Sequence, residues 1–372
     1  MIERAVAHID LGAVERNAAR IREQLNDGTR LCAVVKANAY GHGDTWCAKA
    51  ALARGAEWLA VAAAGEAVEL RRHGIDAPLL IMGALTGEEA RMALEAPADI
   101  VAWEPEFVLA LARAADAAGV IGRVHVKLDS GMGRLGTRDA EQALAVARIV
   151  HEAEHLQLVG LMTHFATADE QGDEYFPQQL ESFTAFAERL RAQYPDVIVH
   201  AANSPATFRE PASHFDMVRC GVALYGLDPF QEDPALRGLE PALTLSSWVA
   251  AVRRFEPGDS AGYGRAWSAA EATWIGTIPI GYGDGWRRDL TNNADVLIGG
   301  RRYPLVGRVS MDNITVDLGP ETQVRPGTPA VLIGRDGDDR ITAEEIAKRL
   351  GTINYEVTCG LAPRVRRHWS AA

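Results

Sequence analysis

The sequence has little lysine, no long apolar run and no closely paired cysteines. Four of its 38 basic residues are lysine, and 50 acidic residues leave the 372-residue chain with a net charge of −12. This balance argues against a general nucleic-acid-binding protein, since contacts to phosphates need a basic surface. No apolar run approaches the ~18 residues of a membrane span, and no apolar signal core follows Met1. We therefore expect a cytoplasmic protein with no membrane partner.

The four cysteines stand at positions 32, 47, 220 and 359, without the CxxC spacing of a thiolate zinc site. Four cysteines in a chain of this length also make no disulfide scaffold. We expect reduced and mostly buried thiols, and no metal site.

Because lysine is scarce, the surroundings of each lysine carry information. Lys49 and Lys348 lie in helix-like segments and suit solvated positions. Lys36 and Lys127 instead end the apolar runs LCAVVK and VHVK. A lysine at the end of a buried strand is costly unless it is paired or used chemically.

Short β-rich runs alternate with amphipathic helical stretches between about residues 30 and 220. Eight such units favour a parallel sheet covered by helices, and eight strands close a (β/α)8 barrel. We assign this α/β barrel to residues 11–228. A doubly wound open sheet is the alternative, but the GxGxxG turn usual after its first strand is absent. The predicted strands are Leu31–Val35, Leu59–Val61, Leu79–Met82, Ile100–Val101, Val124–Leu128, Leu158–Thr163, Ile198–Ala201 and Met217–Val218, and the clearest helices are Glu66–His73, Glu106–Ala118, Ala140–His151 and Glu174–Gln193.

The pattern changes after Gly226. Residues Asp228–Glu240 are rich in Pro, Asp and Glu, which predicts a linker. Beyond it, β patterns with turns predict a second, mainly β domain over residues 240–372. One short helix, Ala343–Leu350, interrupts strands predicted at Leu243–Val252, Thr273–Ile278, Val296–Ile298, Arg302–Val306, Ile314–Val316 and Ala330–Ile333.

Polar residues end or follow five of the predicted barrel strands. The working residues of such barrels lie at the C-terminal ends of the strands, so these side chains would converge on one mouth. A single polar residue after a strand is common, and only the set is informative. Its members are Lys36, Lys127 with Asp129, His164, Asn203 with Ser204, and Arg219.

The segment Ala33–Gly43 reads AVVKANAYGHG and is the strongest of these signals. A strand delivers Lys36 into a loop of small residues that contains Tyr40. A partly desolvated lysine has a lowered pKa and forms a Schiff base with an aldehyde. The glycines would admit a planar cofactor, and Tyr40 could donate to an anion. A lysine that merely extends along apolar surface beside a turn is the alternative.

This segment resembles the pyridoxal-phosphate motif of alanine racemases, and the resemblance covers nearly the whole chain. In that family a (β/α)8 barrel precedes a β domain, and the first strand joins the β domain, which implies the same for residues 1–10. The other matching segments are His8–Leu11, Val124–Gly136, Met162–Ala166, Asn203-Ser204, Val218–Gly226, Gly262–Gly264, Pro279–Gly285, Gly307–Asp312 and Ile353–Glu356.

The resemblance implies pyridoxal phosphate, bound covalently by Lys36, and two bases on opposite faces of the substrate carbon. Lys36 is one base and Tyr263 is the other. The cofactor acts as an electron sink. A tyrosine starts near pKa 10 and needs help to act near neutrality, for which Arg265 is a local candidate.

Arg219 is implied at the pyridine nitrogen, with His164 as the neighbour that orients it. Arginine does not give up its proton, so the ring nitrogen stays unprotonated and side reactions such as transamination are disfavoured. Cys220 replaces the proline expected after Arg219, which would alter the loop or add a reactive thiol. Ser204 also fits a helix N-cap, and helix N-termini bind phosphate. The residues implied around the cofactor phosphate are Tyr40, Ser204, Gly221, Val222 and Tyr355, and Asn203 is implied as a further cofactor-binding residue.

Arg134 is implied as a ligand of the substrate carboxylate or a cofactor oxygen. Met311 and Tyr282 would close the pocket around a small side chain. Lys127 is implied as a carbamate that holds Arg134, and an unmodified Lys127 paired with a carboxylate is the alternative. Asp169 is placed at the entrance corridor.

Tyr263, Tyr282 and Met311 come from the other subunit in the family, which implies an obligate homodimer with composite sites. The implied activity is interconversion of L- and D-alanine, supplying D-alanine for peptidoglycan.

Three other functions remain to be weighed. Decarboxylases of basic amino acids or diaminopimelate share the barrel and cofactor, but they carry an acidic residue near the pyridine nitrogen and a cysteine general acid. Arg219 and Tyr263 argue against them. A racemase of serine or of a broader set stays open. A pyridoxal-phosphate carrier is the non-enzymatic alternative, although such relatives are often single barrels.

Overall fold

The structure is a computed structural model that describes residues 3–371. Two compact units divide the chain. Glu15–Leu224 forms one, and the residues up to Val14 join those from Tyr225 onward in the other. We predicted a barrel domain over residues 11–228 and a β domain over residues 240–372, whereas the units divide at residues 14/15 and 224/225.

The first unit is built around a closed barrel of eight parallel strands. Each strand pairs with the next along the chain, and the last pairs with the first, with Cys32 opposite Arg219. The predicted (β/α)8 barrel is confirmed, and the doubly wound alternative is wrong. In chain order the strands are β2 (Arg30–Val34), β3 (Ala56–Val61), β4 (Leu79–Ile81), β5 (Asp99–Ala102), β6 (Gly122–Lys127), β7 (Leu156–Met162), β8 (Ile198–His200) and β9 (Met217–Cys220).

Helices connect the barrel strands and cover them. Strands such as β5 are buried along their whole length, which explains why they read as continuous apolar runs. Local sequence sets where helices begin: Thr86 Oγ1 accepts from Glu89 N (3.2 Å), and the Glu89 carboxylate accepts from Thr86 N (2.9 Å) in a capping box. The helices are α1 (Leu11–Arg22), α2 (Lys36–Tyr40, whose residues from Ala37 onward are left-handed), α3 (Asp44–Ala53), α4 (Ala64–Arg72), α5 (Gly87–Glu95), α6 (Pro105–Ala118), α7 (Ala140–Glu152), α8 (Tyr175–Arg191) and α9 (Ser204–Arg209), with short 3-10 helices at Pro211–Ser213 and Val222–Tyr225.

The second unit is mainly β, as predicted, and its largest sheet contains the N-terminal strand. There β1 (Val6–Asp10) lies parallel to β20 (Arg366–Ser370) and antiparallel to β10 (Leu243–Trp248). This sheet has the order β16-β15-β18-β10-β1-β20 with β19 on β18, and β11-β14-β17 and β12-β13 form smaller sheets. The remaining strands are β11 (Ala251–Phe255), β12 (Ser260–Ala261), β13 (Trp267–Ser268), β14 (Thr273–Ile278), β15 (Asp295–Ile298), β16 (Arg301–Pro304), β17 (Ile314–Gly319), β18 (Pro329–Asp336) and β19 (Asp339–Ile341).

Two predictions for this unit are wrong in detail. The single strand predicted over Leu243–Val252 is two strands in different sheets, because Val249 N bonds to Thr328 O (2.8 Å) and Ala250 N to Thr277 O (2.7 Å). A second helix also follows the predicted one. The helical segments are α10 (Ala343–Leu350) and α11 (Asn354–Cys359), with 3-10 helices at Pro234–Arg237, Tyr263–Arg265, Tyr282–Asp284 and Arg288–Leu290.

The segment Asp228–Glu240 is packed rather than a free linker. Asp228 is fully buried, and its Oδ2 accepts from Arg237 Nη1 at 2.6 Å. Glu344 Oε1 in turn accepts from Asp228 N at 2.9 Å. A buried carboxylate requires such partners, so the charges that indicated exposure tie this segment into the β unit.

None of the helices among residues 3–371 combines the length and apolar character that crossing a bilayer requires.

Candidate active site

Several predicted strand-end residues share the C-terminal mouth of the barrel. Lys36 follows β2 after one residue, Lys127 is the last residue of β6, and His164 stands two positions after β7. Arg219, predicted to follow its strand, lies inside β9 instead. Because the barrel strands are parallel, these positions lie towards one end of it.

Lys36 begins a left-handed turn where the sequence predicted a loop. Four consecutive non-glycine residues, Ala37–Tyr40, have φ between 52° and 54°. This conformation costs an L-amino acid roughly 1–2 kcal/mol, and such strain is concentrated at functional sites. Asn38 is a type that tolerates it, but no pattern in the sequence predicts four such residues in a row.

Hydrogen bonds from neighbouring elements hold this turn. The Ala37 N–H donates to Glu66 Oε1 (2.6 Å), and the other carboxylate oxygen of Glu66 accepts from Ala62 N (2.8 Å). Asn38 Oδ1 accepts from Asp44 N (3.1 Å), which ties the turn to α3. Sequence reasoning missed Glu66, because its partner in the turn lies 29 residues away.

Tyr40, Ser204 and Gly221 meet at one side of the mouth. A Cβ atom at Gly221 would lie 2.3 Å from Tyr40 Oη, so only glycine leaves room for that hydroxyl. Ser204 Oγ accepts from Gly221 N at 3.1 Å. The predicted N-cap at Ser204 is wrong: Asn203 caps α9, and its Oδ1 accepts from Ala206 N at 3.2 Å. The Ser204 hydroxyl therefore does not cap α9 and instead binds the loop at Gly221, where Val222 begins a 3-10 turn.

Cys220 neither breaks the strand nor adds a reactive thiol. It is the last residue of β9 and fully buried. Its Sγ donates to Thr207 Oγ1 at 3.4 Å. Burial raises the pKa of the thiol to about 11, and a thiol that stays protonated is a poor nucleophile. The prediction of a reactive thiol is therefore wrong.

Arg219 is buried and bound to partners without formal charge. Its Nη2 donates to the carbonyls of Thr163 (2.8 Å) and Ala201 (3.0 Å) and to His164 Nδ1 (3.2 Å). Its Nη1 donates to His200 Nδ1 (3.0 Å). Burial lowers the pKa of Arg219 to about 10, which leaves the guanidinium charged at neutral pH.

His164 is a neutral imidazole. Burial and the positive charge of Arg219 hold the pKa of His164 well below its usual value. Because its Nδ1 accepts a hydrogen bond from Arg219, the proton of the ring lies on Nε2. The sequence analysis placed His164 beside Arg219 but missed His200, which lies on the other side of the guanidinium.

Lys127 lies among other cations. It is almost fully buried, and burial together with the charges of Arg219, Arg134 and Lys36 lowers its pKa to about 8. Asp129 raises that pKa, but its carboxylate is held by its own loop. The donors to Asp129 are Gly131 N (3.1 Å), Gly133 N (3.0 Å) and Arg138 Nε (3.1 Å).

This surplus of positive charge fits an anionic group. Four cations lie close enough to His164 to lower its pKa: Lys36, Lys127, Arg134 and Arg219. A phosphate and a carboxylate would offset their mutual repulsion. The close approach of Tyr40 to the Gly221 backbone adds a hydroxyl beside this region. The residues present therefore fit pyridoxal phosphate.

The other predicted residues lie in the β unit. Tyr263, Tyr282 and Met311 are exposed over 70%, 43% and 52% of their surface. The turns that carry the last two are joined, because Tyr282 N donates to Ser310 O (3.0 Å) and Gly283 N to Met311 O (2.9 Å).

Three further residues have less distinctive surroundings. Arg265 Nε donates to Ser260 Oγ at 3.0 Å. Tyr355 is half-buried in α11, and Asp169 is exposed in the segment after β7.

Fold and mouth together define a protein with an α/β barrel whose mouth carries Lys36 among other cationic side chains. The family model for the N-terminal domain of alanine racemase matches residues 9–229, and that for the C-terminal domain matches residues 242–369.

Individual relatives agree along the whole chain. Alanine racemase of Symbiobacterium thermophilum is 43% identical over 364 residues, which are 98% of this chain and 96% of the relative. Alanine racemase 1 of Bacillus subtilis is 41% identical over 97% of this chain and 92% of its own. The crystal structure of alanine racemase from Streptomyces lavendulae, 36% identical, matches with a TM-score of 0.95 over 100% of this chain and 98% of that one. The chain belongs to the alanine racemase family and is an amino-acid racemase.

Glu66→Ala should destabilise the protein by about 2 kcal/mol, because it leaves N–H groups of the left-handed turn and of the two residues before α4 without a charged acceptor. Urea unfolding measures this change. Glu69→Ala on the same helix is the matched control, since exposed pairs such as Glu69 with Arg72 contribute less than about 1 kcal/mol. Equal destabilisation by the two changes would contradict a special role for Glu66.

Proposed function

We propose that the protein interconverts L- and D-alanine with pyridoxal phosphate, using Lys36 and the Tyr263 of a partner subunit as two bases. The observation that carries the proposal is the charged Arg219, buried among neutral partners in the mouth that also holds Lys36. Membership of the alanine racemase family supports the choice of substrate.

The residues that would hold the cofactor form three groups. Lys36 would bind it covalently. Arg219, oriented by His164, would lie at its pyridine nitrogen. Bound there, pyridoxal phosphate withdraws electrons from the α-carbon of the amino acid and makes its proton acidic. The phosphate would be held by Tyr40, Ser204, Gly221, Val222 and Tyr355, and Asn203 would contact the cofactor beside them.

Proton transfer requires one group on each face of the α-carbon. Lys36 Nζ would remove or return the proton on one face, and Tyr263 Oη on the other. A positioned acid–base group accelerates such a step by roughly 10²–10⁴-fold. Two fixed groups also exchange the proton without any side chain crossing from face to face.

Arg219 would decide which reaction follows. Its pKa of about 10 keeps its proton on the guanidinium at neutral pH, so it does not protonate the ring nitrogen. Electron withdrawal by the cofactor would then stay moderate. The proton would return to the α-carbon rather than to another atom, as transamination would require. An acidic residue at this position, as in the related decarboxylases, would favour a protonated ring nitrogen and stronger electron withdrawal.

Arg134 would bind the substrate carboxylate through its planar fork of donors. The partner's Tyr282 and Met311 would limit the pocket to a side chain as small as that of alanine. D-alanine made in this way would serve peptidoglycan synthesis, which places the enzyme in the cytoplasm.

The exposed aromatic and apolar side chains of the β unit support a homodimer. Tyr263, Tyr282 and Met311 would leave water when they enter the barrel mouth of a second copy. A two-fold axis then forms two identical composite sites.

Tyr263→Phe should abolish exchange of the α-proton for one enantiomer of alanine and leave it for the other. Only Lys36 would then remain as a base, so racemisation should fall by at least about 100-fold. NMR of each enantiomer in deuterated buffer, with chiral derivatisation of the products, measures both quantities. Tyr194→Phe is the control, because Tyr194 precedes β8 at the opposite end of the barrel. Equal exchange of both enantiomers by the Tyr263→Phe enzyme would contradict the two-base assignment.

We further propose that Lys127 is carbamylated and that the resulting anion binds Arg134. Carbamate formation needs the neutral amine, and with a pKa of about 8 roughly one tenth of the amine is neutral at pH 7. Protein kept in buffer enriched with ¹³C bicarbonate should show a carbamate carbon signal that Lys127→Gln removes. The signal should fade as the pH is lowered, because protonation of the amine reverses the addition. Identical spectra for the two proteins would refute the modification.

A further inference from the structure

A buried chain of hydrogen bonds leads from Arg219 through the barrel interior to a carboxylate. Arg219 Nη1 lies 3.0 Å from His200 Nδ1, and His200 Nε2 lies 2.8 Å from His125 Nδ1. His125 Nε2 lies 3.1 Å from Asp99 Oδ2. Both imidazoles are fully buried, and Asp99 is 3% exposed. The members come from β9, β8, β6 and β5 in turn.

The chemistry of its two ends fixes the direction of this chain. Arginine only donates hydrogen bonds, so His200 Nδ1 must be an acceptor and carry no proton. Burial, followed by the charge of Arg219, holds the pKa of His200 well below its usual value, so this ring is neutral with its proton on Nε2. His125 Nδ1 then accepts from His200, and His125 Nε2 donates to Asp99.

Asp99 is an ionised acceptor at the end of the chain. Burial alone would raise its pKa, but the hydrogen bonds from His125 and Arg123 outweigh it and lower the pKa of Asp99. Arg123 binds the carboxylate at two points, Nε to Oδ1 (2.8 Å) and Nη2 to Oδ2 (3.2 Å). Every N–H in the chain therefore points from Arg219 towards Asp99.

The barrel interior is shaped around these rings. A Cβ atom at Gly160 would lie 2.2 Å from His125 Nδ1, so the neighbouring strand β7 carries glycine where the ring must fit. The Trp58 ring packs edge-on against His125 at 5.8 Å, and the two imidazoles are 5.0 Å apart at 75°. Neither histidine can turn without displacing packed neighbours.

We propose that Asp99, His125 and His200 are positioning residues that fix the Arg219 guanidinium and carry the influence of a distant carboxylate to it. A carboxylate in contact with Arg219 would cancel the positive charge that the mouth offers to an anion. Two intervening imidazoles give the guanidinium an ordered acceptor while the acid stays remote. The proposal rests on the proposed function only in assigning Arg219 to the cofactor ring.

The proton order can be read directly by solid-state ¹⁵N NMR of the full-length protein labelled at histidine. We expect both His125 and His200 to carry the proton on Nε2 and to have an unprotonated Nδ1. A proton on Nδ1 of either ring would overturn the relay. This readout needs neither cofactor nor activity, so it separates failure of the relay from failure of the proposed function.

Asp99→Asn tests the role of the carboxylate with little change in shape. The amide oxygen can still accept from His125 Nε2, so Arg219 keeps the order of protons while the negative charge at the end of the chain is lost. We expect unchanged histidine tautomers and pyridoxal-phosphate binding weaker by about tenfold, the scale usual for loss of an outer hydrogen-bond partner. Absorbance titration of the cofactor-free protein measures the binding.

Arg123→Gln is the matched control, because it removes the other partner of Asp99 but keeps the acceptor of His125. It should leave the tautomers and the cofactor affinity close to those of the original protein. Equal loss in both variants, or loss in neither, would overturn the positioning role. If Asp99→Asn does not fold, the spectrum of the unaltered protein still decides the proton order. A protein with the expected order that takes up no pyridoxal phosphate would overturn the proposed function and leave the relay standing.

Discussion

The buried positive charge of Arg219 is the constraint on which the rest of the site depends. A guanidinium inside a barrel must have its donors satisfied, and here carbonyls and neutral imidazoles do so without cancelling its charge. The charge in turn keeps His164 neutral and lowers the pKa of Lys127. The mouth therefore retains an excess of positive charge, which suits a phosphate and an amino-acid carboxylate.

The second constraint is the strained turn after Lys36. Four left-handed residues in succession are unfavourable by several kcal/mol, and hydrogen bonds to the side chains of Glu66 and Asn38 help to hold them. The turn brings Tyr40 against the backbone of Gly221, which follows β9, the strand paired with β2. The strained turn thus connects Lys36 to the part of the mouth that we propose for the phosphate.

Much of the fold was predictable, because eight buried strands read as apolar runs and parallel strands place their ends together. Lys36, Lys127 and Arg219 were found in this way. The left-handed turn was not, since its conformation depends on Glu66 in a later helix. His125 and His200 were missed because a polar residue within an apolar strand indicates burial but not its partner. The break at Val249 was not predicted, because the hydrogen bonds that place the two strands in different sheets do not change the hydrophobicity pattern of the sequence. The roles of Tyr263, Tyr282 and Met311 rest on the family resemblance, since a single chain shows only that they are exposed.

The central claim is that a barrel lysine and a tyrosine from the β unit of a second copy act on one carbon. Mixing Lys36→Ala subunits with Tyr263→Phe subunits tests it most directly, because neither homodimer has a complete site. A mixed dimer contains one site with both residues intact, so an equal mixture that has exchanged subunits should recover roughly one quarter of the original racemase activity. A mixture that forms mixed dimers but stays as inactive as the two parents would contradict the account.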